Sequence, residues 1–177
     1  MDNINKREAI NELVSARSKL SDLYKKYHTL DNKYLDLKRK LLSICIENNW
    51  ETYIFEFRKS KKHYDSYTSY IVDNKRVSLI TITFDIPINM CSGLSHEFGH
   101  LINAYSKKKY NKLNDEYNAW CNGIKFLDKN MLTIDYLKDM DNCFSSYYVN
   151  LNIFWFILGC FYSYVLYRLF KKLKRSK

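Results

Sequence analysis

The chain has 177 residues, of which 46% are hydrophobic and 16% aromatic, so disorder of the whole chain is excluded. It has only 4 glycines and no Gly-rich phosphate-binding fingerprint, which excludes the standard nucleotide-binding loops. The formal net charge is +10, but the six basic residues between Arg168 and Lys177 leave only +4 for residues 1–167. No nucleic-acid partner is therefore expected.

Residues 6–49 have the hydrophobic pattern of one long helix. Apolar residues recur at alternating spacings of three and four from Leu13 to Ile44, and neither Pro nor Gly interrupts them. The flanking positions are mostly basic, so the apolar seam is expected to dock on its own domain or on an acidic partner helix; a solvated basic face is the plainer interpretation. Residues 1–50 are predicted to form a coiled-coil arm, with residues 9–44 as the candidate contact for a partner.

The next segment, residues 51–84, changes to the two-residue period of β-strands. Aromatic and β-branched residues are enriched in residues 53–57 and 67–72, and a third run, RVSLITITF, follows the turn residues Asp73 and Asn74. This pattern predicts a three-stranded antiparallel meander.

From Asn89 onward the apolar residues return to helical spacing. One helix is predicted to end near Ser106, a second to begin near residue 114 with Asn114 as its N-cap, and a third to span about residues 133–148. Strands followed by helices predict an α+β fold. The body of the protein is expected to comprise residues 51–143.

The C-terminal residues 144–177 are predicted to form an apolar helix with a basic tail. Residues 153–167 carry no charge, but such a run is shorter than the about 20 residues that span a bilayer. Residues 151–177 are therefore a candidate membrane contact, with an interfacial helix on anionic headgroups or a helix buried in the core as the alternatives.

The cysteines and the first residues predict the compartment. Five cysteines without a C-x-x-C pair favour free thiols, and the opening sequence MDNINKREAINEL lacks the apolar run of a secretory signal. We expect a cytoplasmic body, associated with a membrane if the C-terminal helix attaches to one.

An H-E-x-x-H motif, His96-Glu97-Phe98-Gly99-His100, lies within the first predicted helix after the strands. Histidines four positions apart lie on one helix face, so both imidazoles can bind one metal ion. The glutamate between them can exchange a proton with water at that ion. A helix with two structural histidines is the alternative.

A catalytic zinc ion needs a third protein ligand, and the sequence offers candidates on the next helix. No third histidine follows at the spacing of the extended motif, because Ser106 occupies that position. Glu116 shares one helix face with Ala119 and Gly123, whose small side chains would let the two helices approach closely. Asp115 lies one position off that face and is the weaker candidate. Alternatively, Glu116 binds no metal and only supplies the negative charge that favours a helix N-terminus.

Together, a strand, the H-E-x-x-H helix and the Glu116-x-x-Ala119-Trp120 helix resemble a minimal zincin of the gluzincin type. The segments ITITFDIPINMCSGLSHEFGHLI and DEYNAWCNGIKFL are most similar to those of the ImmA/IrrE-like metallopeptidases of phages and mobile elements. The resemblance covers about residues 77–150 and implies a zincin-like fold, a Zn²⁺ cofactor and hydrolysis of a protein or peptide substrate. The ligands that it implies are His96, His100 and Glu116, with Glu97 as the general base.

Two functions of different classes follow. The first is a zinc-dependent metallopeptidase whose substrate binds in an extended form beside the strand 77–84. The second is a non-enzymatic interaction protein in which the arm recruits a partner, the C-terminus attaches to a membrane, and the zinc motif is structural or relic, with Cys91 or Cys121 as a further ligand. A peptidase also needs an oxyanion stabiliser. The candidates are Tyr105, Tyr110, Tyr147 and Tyr148.

Overall fold

The computed structural model describes residues 3–58, 64–106, 108–128, 132 and 134–148. The chain divides into two compact units, Met1–Tyr136 and Leu137–Lys177. The α+β class is confirmed, since the described residues form helices and one mixed sheet. The elements are α1 (Asn3–Lys25), α2 (Asn32–Glu47), β1 (Glu51–Arg58), β2 (Ser66–Val72), β3 (Lys75–Phe84), α3 (Pro87–Tyr105), α4 (Lys112–Gly123), a 3-10 turn (Ile124–Phe126) and α5 (Ile134–Tyr148).

The sheet has the strand order β1-β3-β2, with β3 in the centre. β3 is antiparallel to β2 but parallel to β1, so the predicted antiparallel meander is wrong. Residues 77–83 of β3 are uncharged and buried, as is typical of a central strand that is covered on both faces. The predicted turn between β2 and β3 is confirmed: Asp73 and Asn74 have φ angles of 51° and 59°, as in a type I′ hairpin turn.

Helix α1 covers one face of the sheet. Its Ile10 lies in a buried cluster with Phe55 of β1 and Val77 of β3, and Leu13 and Val14 pack against that cluster. The opposite face carries residues that alternate with these, and α2 and α3 pack there. The sheet is thus the middle layer of the first unit.

The prediction of one continuous helix over residues 6–49 is wrong, because the chain turns between Lys25 and Asn32. The Asp31 side chain caps α2 by accepting a hydrogen bond from the Lys33 backbone N–H at 2.8 Å. Only the α2 part of the apolar seam is buried, whereas Ala16, Leu20 and Leu23 of α1 are exposed. The turn allows α1 and α2 to cover the two faces of one sheet. Buried seam residues of α2 are Tyr34, Leu37 and Leu41.

Glu56 of β1 is a fully buried carboxylate that connects β1 to α1 and α2. Its carboxylate accepts hydrogen bonds from the Tyr34 hydroxyl at 2.9 Å and the Ser21 hydroxyl at 3.2 Å, and it pairs with the ammonium groups of Lys38 and Lys25. Burial alone would raise the pKa of Glu56, but the two ammonium groups and these hydrogen bonds together hold it below the usual value. The group is therefore charged and compensated in the folded protein.

The predicted apolar helix with a basic tail overlaps the end of α5, and residues 149–177 lie outside the residues that the structure describes. Within the described residues, no helix is long and apolar enough to cross a membrane. The predicted helix over about residues 133–148 is confirmed as α5.

Candidate metal centre

The H-E-x-x-H motif lies in the middle of α3, as the sequence predicts. Pro87 occupies the first turn, where its missing N–H costs no hydrogen bond. His96 and His100 are one turn apart, and their ring centroids are 4.7 Å apart. The apolar side of the helix, which includes Leu94 and Phe98, is completely buried and fixes the orientation of α3.

Helix α4 approaches α3 closely because both helices have small residues at the crossing. A Cβ atom added at Gly99 of α3 would collide with the backbone carbonyl oxygen of Ala119, and one added at Gly123 of α4 would collide with that of Ser95. The predicted close approach of the two helices is thus present. The predicted N-cap is wrong by three residues: α4 begins at Lys112, and the Asn111 side chain accepts the capping hydrogen bond.

Glu116 extends from α4 to a point between the two histidines. Its Oε2 atom lies 3.4 Å from His96 Nε2 and 3.4 Å from His100 Nε2. Two ligand atoms on one tetrahedral zinc ion are separated by about 3.3 Å when the bonds are about 2.0–2.1 Å long. Glu97 lies beside this group, with Oε1 4.0 Å from His96 Nε2. The structure therefore brings the four residues singled out in the sequence together.

Asp115, the weaker ligand candidate in the sequence, contacts the other side of the His100 ring. Its Oδ2 atom lies 2.8 Å from His100 Nδ1. The Asn103 amide donates to both the Asp115 carboxylate and its backbone carbonyl, and Asn122 donates in turn to Asn103. A carboxylate on the distal nitrogen of a ligand histidine fixes the ring and raises its basicity. Asp115 is thus placed to orient the His100 ring, and its place next to Glu116 was the available signal in the sequence.

Aromatic rings enclose both histidines. Trp120 stacks on His96 at a centroid distance of 4.1 Å, and Tyr67 of β2 stacks on His100 at 6.3 Å. The backbone N–H of Tyr67 also hydrogen-bonds to Glu97. Strand β2 therefore borders the candidate metal centre directly.

The electrostatics of the group follow from this enclosure. Burial lowers the pKa of His96, which favours the neutral imidazole that binds metals. Burial raises the pKa of Glu97 to about 8. Burial alone would lower the pKa of His100, but the hydrogen bond with Glu116 and the surrounding carboxylates raise it to about 9. Metal binding to His100 would therefore release a proton.

The close helix crossing can be tested through Gly99. We expect Gly99→Ala to lower the free energy of unfolding by about 1–3 kcal/mol, because the new methyl group meets backbone that cannot rotate away. Since α4 carries Glu116, its displacement should also weaken zinc binding by about tenfold or more. Urea unfolding of the metal-free protein and zinc competition with a chelator measure the two effects.

The control for that substitution is Gly93→Ala in the same helix. A Cβ there meets the end of the Asp65 side chain, which accepts two hydrogen bonds from Thr83 but can shift at less cost than backbone. Stability should therefore fall less than in Gly99→Ala, and zinc affinity should stay near the wild-type value. Equal behaviour of the Gly99 and Gly93 variants would contradict the close crossing.

The other residues considered as metal ligands or oxyanion stabilisers are not part of this group. Among the described residues, neither Cys91 nor Cys121 joins a set of side chains close enough to hold one ion. The Tyr105 hydroxyl donates to the Arg76 backbone carbonyl at 3.1 Å, while the side chains of Tyr147 and Tyr148 lie outside the described residues. Comparison of the chain with protein-family models, with curated proteins and with solved structures finds no match.

Proposed function

We propose that this protein is a zinc-dependent metallopeptidase. The observation that carries the proposal is the position of Glu116, whose Oε2 atom is 3.4 Å from the Nε2 atoms of both His96 and His100, with Glu97 beside them. Two imidazole nitrogens and one carboxylate oxygen are a donor set that zinc uses in catalytic sites, where one position stays open. The chemistry of the residues therefore fits zinc as the cofactor.

Zinc, when bound, acts as a Lewis acid on the substrate carbonyl and on water. Glu97 has the role of the general base: its carboxylate accepts a proton as the water oxygen bonds to the carbonyl carbon. It then returns the proton to the leaving nitrogen as the C–N bond breaks. Asp115 holds the His100 ring in place throughout.

The substrate is proposed to bind along β2 rather than β3. The expectation that strand 77–84 offers the exposed edge is wrong, because β3 pairs on both sides. β2 is an edge strand without a charged residue. Its Tyr67 N–H bonds to Glu97, and the described residues show no backbone–backbone hydrogen bond on the rest of its outer side. Edge strands without charges accept added strands, and Tyr67 connects this edge to Glu97.

The metal content of the purified full chain tests the proposal. We expect about one zinc ion per wild-type chain, with His100→Ala and Glu116→Gln losing most of it because each removes a ligand. Cleavage of an unfolded protein such as casein should stop on chelation and return on adding zinc. His28→Ala, which changes an exposed histidine that stacks on Phe84, is the control and should keep its zinc. A zinc-free wild type, or Glu116→Gln with full zinc content, would refute the ligand set.

A further inference from the structure

An apolar groove separates the N-terminal half of α1 from β2. It has a volume of about 580 Å³ and opens to solvent on the side of the sheet that faces α1, away from the H-E-x-x-H helix. Ile10 and Val72 are buried there, whereas Ala9 and Tyr70 are exposed. The residues that line the groove are Lys6, Ala9, Ile10, Leu13 and residues 69–72.

Ion pairs at one end of α1 hold the wall of this groove in place. Arg7 bonds to both carboxylate oxygens of Glu51 at 2.9 and 3.0 Å, and to Asp73 in the β2–β3 turn at 3.2 Å. α1 is thereby fixed to the start of β1 and to the hairpin. Tyr70, which pairs with Val77 across the sheet, is left uncovered beside α1. The groove is thus a feature of the packed helix and sheet.

The groove and the candidate metal centre border the same strand, β2, on opposite faces of the sheet. Near its start, β2 carries Tyr67 beside His100 and Glu97, and its other end, residues 69–72, lines the groove. Successive side chains of an added strand point to opposite faces of the sheet. One set would face the metal centre, and the alternate set would face α1. Residues 70–72 at the groove lie three to five residues from Tyr67 at the metal centre, which is about 10–17 Å along the strand.

We propose that the groove is a specificity subsite, which takes an apolar side chain of an extended polypeptide substrate three to five residues from the cleaved bond. This inference rests on the proposed peptidase function and names the substrate class: unfolded segments with an aliphatic or aromatic residue at that distance. A second copy of the chain fits less well, because each groove is bordered by Lys6 and has no acidic lining residue that could pair with the Lys6 of the other copy.

Peptide cleavage by the full-length protein tests the inference. A bond that the wild type cleaves in casein is placed in peptides of Ser, Thr and Ala, and one Leu is moved from two to six positions away on each side. At a distance of three to five residues, on one side only, Leu should raise kcat/KM about tenfold over the Leu-free peptide. In Ala9→Glu, which puts a charge into the groove, the ratio of kcat/KM for the Leu peptide to kcat/KM for the Leu-free peptide should fall to about one.

The matched control is Ala16→Glu, because Ala16 is also exposed on α1 but does not line the groove. Its ratio should remain near the wild-type value. Equal ratios in Ala9→Glu and the wild type, or no preferred position for Leu, would overturn the subsite while leaving the peptidase function intact. A wild-type dimer that Ala9→Glu converts to a monomer would assign the groove to a second copy instead. Absence of any zinc-dependent cleavage would refute the peptidase function, and the subsite with it.

Discussion

Glu97→Gln is expected to reduce peptide hydrolysis about 10³-fold while the protein keeps its zinc. Glutamine has nearly the same shape as glutamate and can still accept a hydrogen bond from the Tyr67 backbone N–H. It cannot take a proton from the attacking water or return one to the leaving nitrogen. The proposed ligands His96, His100 and Glu116 are unchanged, so the metal should remain bound.

The measurement combines zinc content, thermal unfolding and kcat on an unfolded protein substrate. Glu12→Gln, at an exposed position of α1, is the matched control and should retain wild-type activity. Activity of Glu97→Gln within a few-fold of the wild type would contradict the role of Glu97. A wild type that binds zinc tightly yet cleaves nothing would instead favour the non-enzymatic alternative, in which the site is structural.

Much of the site could be predicted because its residues lie close together in sequence or share a helix face. The spacing of His96 and His100 alone places both on one side of any helix. Ala119 and Gly123 indicated a close helix crossing, and that crossing brings Glu116 to both histidines. Each of these inferences depends on helix geometry within α3 and α4.

The remaining features depend on contacts between distant segments. Periodicity located the strands, but it carries no information on whether β1 pairs with β2 or with β3. In the structure the buried strand β3 pairs with both, in parallel with β1. An uninterrupted heptad pattern did not reveal the turn after Lys25, because the two helices bury different positions. The seam residues of α2 are buried, whereas α1 packs on the sheet through Ile10 and Val14 and leaves Leu20 and Leu23 exposed. Asp115 acts through His100, which spacing alone could not show.

Glu56→Gln is expected to lower the free energy of unfolding by about 3–5 kcal/mol at neutral pH, because it removes the counter-charge of the half-buried Lys38 and one of the two carboxylates that pair with Lys25. Burial already lowers the pKa of Lys38, so its charge depends on Glu56. The hydrogen bonds from Ser21 and Tyr34 would also be weakened, since each now serves a carboxylate. The loss should appear as lower urea midpoints at unchanged slope.

The pH dependence separates this charge effect from the effect of altered hydrogen bonds. The folded-state pKa of Glu56 lies below its usual value of 4.5, so its charge stabilises the fold above that pH and ceases to do so as the pH falls through the folded-state pKa. The difference in unfolding free energy between wild type and Glu56→Gln should therefore be constant from neutral pH to about pH 5 and shrink below it. Glu12→Gln should match the wild type at every pH. A difference that persists unchanged in acid would show that the hydrogen bonds of Glu56, rather than its charge, hold α1 and α2 to the sheet.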